Sequence, residues 1–264
     1  MLRVGAVVVL AAALTAPAAA WPRRIACIGD SITYDVTQPS GAGPGGAPDR
    51  GGGYPGRLQR RLADVRVLNR GLGGTTTSVW LDAPAGAALW PAVAGPWCLP
   101  STRREGPLVE RVLRADRARL AIVLLGVNDL HAAGTDPVAV ADRLDLLLAR
   151  AAAVAGRALV GTVVPNRREP DALVALLNAE IRARHPDFLP LGERFAAAGG
   201  TALFADDVHP SPEGYETLAA IVAEELVARG LARAAERPNP ARACGASPVD
   251  RRCARCGIVR EERG

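Results

Sequence analysis

Short apolar runs alternate with helical segments along most of this chain, and no other feature limits its fold as strongly. The apolar runs begin at Ile25, Val65, Leu120, Ala158 and Phe188. The segments between them place apolar residues every three or four positions, the spacing of a helix with one buried face. Alternating strands and helices predict a parallel sheet covered by helices on both faces through right-handed crossovers. We therefore predict an α/β fold, a three-layer α/β/α sandwich with a five-stranded parallel sheet.

The composition is that of a globular protein. The 264 residues are 49% hydrophobic and 22% charged, values that fit a packed core. The net charge of +5 comes from scattered arginines, and the chain contains no lysine. Because no basic stripe with interleaved aromatic residues is present, we predict no nucleic-acid partner. The helical periodicity fades after Arg229, which predicts one domain over residues 21–235 and a C-terminal tail rich in Pro, Arg and Cys over residues 236–264.

Residues 1–20 have the pattern of a secretory signal peptide. Arg3 precedes an apolar run over residues 4–14, and three alanines ending at Ala20 offer a small-residue cleavage site. The run is short for a membrane span, and Pro17 lies between it and the alanines. We predict cleavage after Ala20 and a secreted or periplasmic protein without stable membrane insertion.

The five cysteines of the chain do not predict a metal site. Cys27 lies inside the first apolar run and is expected to be a small buried side chain. Cys253 and Cys256 form half of a zinc ribbon, but the second Cys-x-x-Cys is missing. Together with Cys98 and Cys244 they form disulfides or remain thiols, and their pairing stays open. We predict no metal and no cofactor.

A Gly-Asp-Ser turn comes after the first apolar run and ends in Ser31. A residue just past the carboxyl end of a buried strand lies where open α/β sheets usually bind ligands. Residues 35–53 are rich in glycine and proline, which predicts a loop beside this serine. Trp80, Trp90 and Trp97 lie in a long irregular stretch, where they either line a substrate pocket or lid or pack on one another in an insertion.

Three further loops contain the residue types that acyl transfer needs. Gly74 lies in a glycine cluster after the second apolar run, Asn128 comes after the third, and Asp206 and His209 precede the last helix. A serine hydroxyl becomes a good nucleophile when an imidazole takes its proton and a carboxylate orients that imidazole. The tetrahedral intermediate then needs N–H donors aimed at its oxygen, and glycine lets a backbone N–H come close to a ligand.

At these loops the sequence resembles the GDSL, or SGNH, hydrolase family. Gly-Asp-Ser-Ile-Thr at 29–33, Gly-Val-Asn-Asp at 126–129 and Asp-Asp-Val-His-Pro at 206–210 match three family motifs in the family's order. The resemblance spans residues 24–230. It implies the flavodoxin-like fold of this family and serine hydrolase chemistry without a cofactor.

The resemblance also implies a role for each matching residue. Ser31 would be the nucleophile, His209 the general base and Asp206 the acid that orients the histidine. The oxyanion hole would consist of the N–H groups of Ser31 and Gly74 and the side-chain amide of Asn128.

Several of these assignments have alternatives. The glycine is the loosest match, so Gly71 remains an alternative backbone donor. Asp207 is an alternative acid, although the three-residue offset to the histidine favours its neighbour. His131 and His185 are weaker candidates for the base, since the first lacks a carboxylate at the family's spacing and the second precedes a proline at a helix end. Asp30 is expected to anchor the loop rather than to act as an acid.

The sequence therefore predicts a secreted serine esterase that hydrolyses carboxylic esters through an acyl-enzyme on Ser31. Its substrates would be small-molecule or polysaccharide esters, with lipid, aryl and carbohydrate acetyl esters all open, and its oligomeric state is open too. The alternative is a non-catalytic protein of the same fold that binds glycans through Trp80, Trp90 and Trp97.

Overall fold

The computed structural model of the chain describes residues 24–34, 52–82, 106–131 and 135–235. The predicted signal peptide, most of the glycine-rich loop and the C-terminal tail lie outside the described residues. The same holds for six residues singled out in the sequence: Trp90, Trp97, Cys98, Cys244, Cys253 and Cys256.

The described strands form two sheets. The strands are β1 (Arg24–Gly29), β2 (Leu62–Ala63), β3 (Arg66–Gly71), β4 (Leu120–Leu124), β5 (Ala158–Val160) and β6 (Arg233–Ala234). One sheet is parallel, with the strand order β3-β1-β4-β5, and in the other β2 pairs with β6 in an antiparallel ladder. Every residue of β4 is buried, as expected for a strand covered by helices on both faces.

The register of the sheet brings the carboxyl ends of three strands together. Gly29 at the end of β1 pairs with Gly71 of β3 on one side and with Leu124 of β4 on the other. The loops after these strands therefore leave the same edge of the sheet, the usual position of a ligand site in such folds.

The fifth predicted strand is reduced to a single bridge. Leu189 makes an isolated parallel bridge to Gly161, with its N–H donating to Val160 O at 2.8 Å. The next N–H that could extend the ladder is that of Leu191, but it donates to Leu189 O at 2.8 Å, and a helix begins at this residue. The predicted α/β/α fold is confirmed, but the parallel sheet in the described part of the chain has four regular strands rather than five.

The helices cover both faces of the sheet. They are α1 (Ser31–Tyr34), α2 (Gly53–Arg61), α3 (Thr77–Leu81), α4 (Leu108–Asp116), α5 (Val127–His131), α6 (Pro137–Ala155), α7 (Asp171–Arg184), α8 (Leu191–Ala197) and α9 (Pro212–Ala228). Helix α2 packs against α9, whereas α6 packs against α4 and α7. This grouping gives two helical layers, since right-handed crossovers in opposite directions from β1 put helices on opposite faces. No described helix has the length and apolar composition needed to cross a bilayer.

Two helices begin at a capping side chain followed directly by proline, a sequence pattern that predicts a helix start. The Asp136 side chain accepts a hydrogen bond from Val138 N–H at 2.9 Å and caps α6. Ser211 accepts one from Gly214 N–H at 3.2 Å and caps α9. A proline occupies the first turn of each helix, where its missing N–H costs no hydrogen bond. The cap of α9 also fixes the chain two residues after His209.

The α2 surface differs from the prediction at one arginine. The helical spacing predicts that Arg57 faces water with Arg60 and Arg61, but Arg57 is only 7% exposed. Its guanidinium lies 5.3 Å from the ring centroid of Tyr215 and donates to Gly53 O at 2.9 Å. Helix α9 packs across this side of α2 and covers the arginine, while the guanidinium keeps a carbonyl and an aromatic face as partners.

Candidate active site

Ser31 lies at the first position of α1, directly after the turn that ends β1. The turn is held by Asp30, whose side chain accepts a hydrogen bond from Ile32 N–H at 2.9 Å and whose carbonyl accepts one from Tyr34 N–H at 3.0 Å. The turn also requires glycine before it, because a Cβ on Gly29 would lie 2.0 Å from Thr33 Oγ1. The serine thus sits at a helix start with its backbone N–H outside the helical ladder.

The Asp30 carboxyl is only 1% exposed. Burial raises its pKa to about 7, although the hydrogen bond from Ile32 N–H and the charge of Arg168 oppose the rise. No contact joins it to the described histidines, which agrees with its predicted role as a loop anchor.

His209 contacts Ser31 through one ring nitrogen and Asp206 through the other. Its Nε2 lies 3.0 Å from Ser31 Oγ, and its Nδ1 lies 2.8 Å from Asp206 Oδ2. A contact of 3.0 Å between residues 178 positions apart in the sequence requires that the loop before α9 folds over the end of β1. The imidazole is therefore placed to take the serine proton at Nε2 while its other nitrogen is held by a carboxylate.

The carboxylate of Asp206 is itself fixed by the loop. Its Oδ1 accepts hydrogen bonds from Val208 N–H at 2.8 Å and from His209 N–H at 2.7 Å. Desolvation alone would raise the pKa of Asp206, but these bonds and the contact with the imidazole lower it below its ordinary value. Asp207, the alternative acid, instead contributes its backbone carbonyl to a bond from Arg167 N–H at 2.7 Å.

The glycine cluster forms a turn beside Ser31. Thr75 N–H donates to Leu72 O at 3.3 Å, and Gly74 at the third position has φ of +75°, the pattern of a type II turn. A methyl group on Gly73 would lie 3.9 Å from Ser31 Cβ. Among the described residues the Gly74 N–H meets no acceptor, so it is free to bind a ligand.

Gly71, the alternative donor, has its N–H engaged. It donates to Asn69 Oδ1 at 2.9 Å. The geometry therefore favours Gly74 over Gly71 as the backbone donor.

Asn128 lies in α5, which starts three residues after β4 ends. Its side-chain NH₂ donates to Thr75 O at 3.0 Å, and its Oδ1 accepts from an Arg168 NH₂ group at 3.0 Å. The first bond joins Asn128 to the turn that contains Gly74. Direct hydrogen bonds thus join Asn128 to the turn on one side and Asp206, His209 and Ser31 to one another on the other.

Asp129 joins α3 to α5. It accepts hydrogen bonds from Thr77 N–H and from Thr77 Oγ1–H at 2.5 Å, and Arg143 lies 3.4 Å from it. These contacts fix the segment after Gly74 against the segment that bears Asn128.

The other histidines have carboxylate partners but do not contact Ser31. His131 Nδ1 lies 3.0 Å from Glu169 Oε1, and His185 Nε2 lies 2.8 Å from Asp145 Oδ1. Of the described histidines, only His209 forms a hydrogen bond with the Ser31 hydroxyl.

Trp80 does not line a pocket. It is fully buried in the core, and its indole N–H donates to Thr75 Oγ1 at 3.1 Å. Trp80 therefore holds Thr75, the last residue of the glycine turn, from the core side. Neither face of its ring is exposed for stacking on a sugar.

Sequence reasoning missed the loop at residues 165–169. Arg168 contacts Asn128, and Arg167 N–H bonds the loop that holds Asp206 and His209. The position of this loop after β5 was a usable signal, since it leaves the same edge of the sheet as the other site loops.

The model of the GDSL-like Lipase/Acylhydrolase family matches residues 27–217, and no curated protein matches the chain.

Among solved structures, a lipolytic protein of the G-D-S-L family from Veillonella parvula shares 21% identity at a TM-score of 0.54, covering 76% of this chain and 96% of that one. An acetylxylan esterase from Geobacillus stearothermophilus shares 19% at a TM-score of 0.54, covering 77% and 94%. A lipase/acylhydrolase from Enterococcus faecalis shares 17% at a TM-score of 0.54, covering 82% and 100%. These likenesses show the fold. The match of the family model over most of the chain shows that it belongs to the GDSL-like lipase/acylhydrolase family.

Proposed function

We propose that this chain hydrolyses carboxylic esters through an acyl-enzyme on Ser31, with His209 as general base and Asp206 as the carboxylate that orients it. The observation that carries the proposal is the 3.0 Å contact between His209 Nε2 and Ser31 Oγ, with His209 Nδ1 held 2.8 Å from Asp206. Membership of an acylhydrolase family favours this reaction over the glycan-binding alternative, as does the burial of Trp80.

In the acylation step, Ser31 Oγ attacks the ester carbonyl carbon while its proton moves to His209 Nε2. The carbonyl oxygen becomes an oxyanion, and the proposed donors are Ser31 N–H, Gly74 N–H and the second hydrogen of the Asn128 amide. When the intermediate collapses, the C–O bond to the alcohol breaks and His209 returns its proton to the leaving oxygen. The acyl group remains on Ser31.

In the deacylation step, a water molecule attacks the acyl carbon and gives its proton to His209. The same donors hold the second oxyanion. Collapse releases the carboxylic acid and restores Ser31 with its proton. Asp206 stays ionised throughout, consistent with its lowered pKa, and stabilises the imidazolium in each step.

Acetyl groups on carbohydrate and extracellular lipid esters are the proposed substrates. The fold shared with an acetylxylan esterase supports the first, and the predicted signal peptide supports substrates outside the cytoplasm for both. A screen of the purified protein against acetylated xylan, short and long aryl esters and phospholipid would decide between them. Turnover of phospholipid alone would contradict the carbohydrate assignment.

Hydrolysis of p-nitrophenyl acetate tests the proposal most directly. Ser31→Ala should abolish turnover and labelling by a serine-directed fluorophosphonate, whereas Ser78→Ala, at an exposed serine on α3, should leave both unchanged. A Ser31→Ala variant that turns over at the wild-type rate would remove Ser31 from the mechanism.

Export is a separate proposal. Expression with the natural leader should yield mature protein outside the cytoplasm with Trp21 as its first residue, as read by N-terminal mass spectrometry. Retention of residues 1–20 in the exported protein would contradict cleavage after Ala20.

A further inference from the structure

Arg168 joins the Asn128 amide to a buried carboxylate. One of its terminal NH₂ groups donates to Asn128 Oδ1 at 3.0 Å, and its Nε donates to Glu169 Oε1 at 2.7 Å. Both nitrogens belong to one planar guanidinium, so fixing one bond fixes the direction of the other.

These contacts allow only one orientation of the Asn128 amide. The amide oxygen faces a guanidinium N–H, and the amide nitrogen faces the Thr75 carbonyl at 3.0 Å. Rotating the amide by 180° would set two donors against each other at Arg168 and two acceptors against each other at Thr75. With one NH₂ hydrogen committed to Thr75, the other has a fixed direction.

Arg168 is in turn held by the loop that bears it. The Glu169 side chain is only 3% exposed, and its Oε1 also contacts His131 Nδ1 at 3.0 Å. Asn166 Oδ1 accepts hydrogen bonds from Arg168 N–H at 3.0 Å and Glu169 N–H at 2.8 Å. The guanidinium therefore extends from a rigid loop rather than from a free surface position.

The same loop contacts the segment that carries the proposed base. Arg167 N–H donates to Asp207 O at 2.7 Å, next to Asp206. Residues 165–169 thus touch both sides of the candidate site, and Arg168 is the member whose side chain reaches a proposed oxyanion donor.

We propose that Arg168 is a positioning residue that holds the Asn128 amide in the orientation required for the oxyanion hole. This inference rests on the proposed function, since it concerns a donor of that reaction. Losing one oxyanion donor costs about 10²- to 10³-fold in kcat. Loss of Arg168 should cost less, about 10-fold or more, because the amide remains but samples wrong orientations. KM should change little, since the donor acts on the transition state.

A double-mutant cycle with p-nitrophenyl acetate tests the inference. Arg168→Ala and Asn128→Ala should each lower kcat, and the double variant should be no slower than Asn128→Ala, because Arg168 acts through Asn128. Arg167→Ala is the matched control, since its exposed side chain bonds only Thr201 O among the described residues while its backbone N–H is kept. Losses that multiply in the double variant would overturn the inference.

Chemical rescue separates positioning from a general structural role. Guanidinium at millimolar concentration should restore part of the kcat of Arg168→Ala but none of that of Asn128→Ala. If Arg168→Ala does not fold, as judged by circular dichroism, Arg168→Lys replaces it in the cycle, since lysine keeps the charge but cannot make both bonds. If the wild type is active and Arg168→Ala or Arg168→Lys has the same kcat as the wild type, this inference is overturned but the proposed function stands. A wild type inactive on every ester overturns the proposed function and this inference with it.

Discussion

At the scale of single residues, the two contacts of His209 determine what each substitution should cost. His209→Ala removes the group that accepts the Ser31 proton and should lower kcat on p-nitrophenyl acetate by about 10⁴-fold or more. Asp206→Asn keeps the shape of the side chain but disturbs the imidazole tautomer, so its loss should be large but smaller than that of His209→Ala. Steady-state kinetics of both variants measure the order.

Asp207→Asn is the matched control for Asp206→Asn. Asp207 lies two residues before His209. Its backbone carbonyl accepts the hydrogen bond from Arg167 N–H, and the substitution leaves this carbonyl in place. Its kcat should stay within about twofold of the wild type, because no transition-state contact is lost. A larger loss in Asp207→Asn than in Asp206→Asn would exchange the roles of the two acids.

The buried carboxyl of Asp30 should give stability a measurable pH dependence. Its pKa is raised from 3.8 to about 7 in the folded chain, mainly by burial. The folded state therefore binds the proton more tightly than the unfolded state, and this contribution to stability falls as pH rises from about 4 to about 7, by on the order of 4 kcal/mol. Asp30→Asn keeps an acceptor for Ile32 N–H without ionising.

Denaturant unfolding of both proteins at pH 5 and pH 8 measures this effect. The free energy of unfolding of the wild type should fall between pH 5 and pH 8 more than that of Asp30→Asn. The value for Asp30→Asn minus the value for the wild type should therefore be larger at pH 8. Taking the difference between the two proteins cancels the other titrating groups. An equal difference at the two pH values would mean that Asp30 titrates alike in the folded and unfolded chains.

Individual residues were predictable where the signal is local in sequence. Asp206 and His209 are three residues apart, and Ser31 directly follows a strand. Arg57 and Arg168 were not predictable, because their environments come from partners far away in the chain, Tyr215 and Asn128. An arginine in a polar stretch looks solvent-exposed until the packing of another element is known.

At the scale of elements, the turn from Leu72 to Thr75 should be sensitive at its third position. Gly74 has φ of +75°, which a type II turn requires and which favours glycine. Alanine there favours the type I turn, in which the central peptide is rotated and the Gly74 N–H points the other way. We expect Gly74→Ala to lower kcat by about 10-fold or more, since it misdirects one oxyanion donor.

Gly230→Ala is the control for the backbone cost. Gly230 has φ of +67° and, like Gly74, has open space where a Cβ would be. Both variants should lose about 1 kcal/mol of stability from the strained alanine, but only Gly74→Ala should lose activity. Thermal unfolding and ester kinetics on the pair separate the two effects, and equal activity in the pair would remove Gly74 from the oxyanion hole.

The start of a helix was predictable where the residues at that start are themselves typical of a helix cap. Asp136 and Ser211 cap helices that begin as expected, because a cap bonds N–H groups only two or three residues away. The prediction of a regular fifth strand was wrong, because an apolar residue such as Leu189, buried beside the sheet, gives the same sequence signal as a strand.

At the scale of the whole molecule, the chain divides into two units, and the first unit ends at the last residue of strand β6. By its internal contacts the chain divides into Met1–Ala234 and Ala235–Gly264. The strand β6 pairs with β2 through Leu62 and Ala63, and Ala232 just before it is only 1% exposed. The boundary between the units thus lies directly after the exposed strand β6 and two residues after the buried Ala232.

Truncation on either side of this boundary tests the predicted domain. A mature chain ending at Ala235 keeps β6 and the buried Ala232, so its Tm and its kcat on p-nitrophenyl acetate should match those of the chain ending at Gly264. A chain ending at Arg229 loses β6, Ala232 and Leu231, which packs against the core, and it should be less stable by about 2 kcal/mol or more.

If shortening to Ala235 lowers Tm as much as shortening to Arg229, then residues 236–264 contribute to the folded domain. Intact mass before and after reduction would then show whether disulfides to Cys244, Cys253 or Cys256 are the cause, since each bridge adds two hydrogens on reduction.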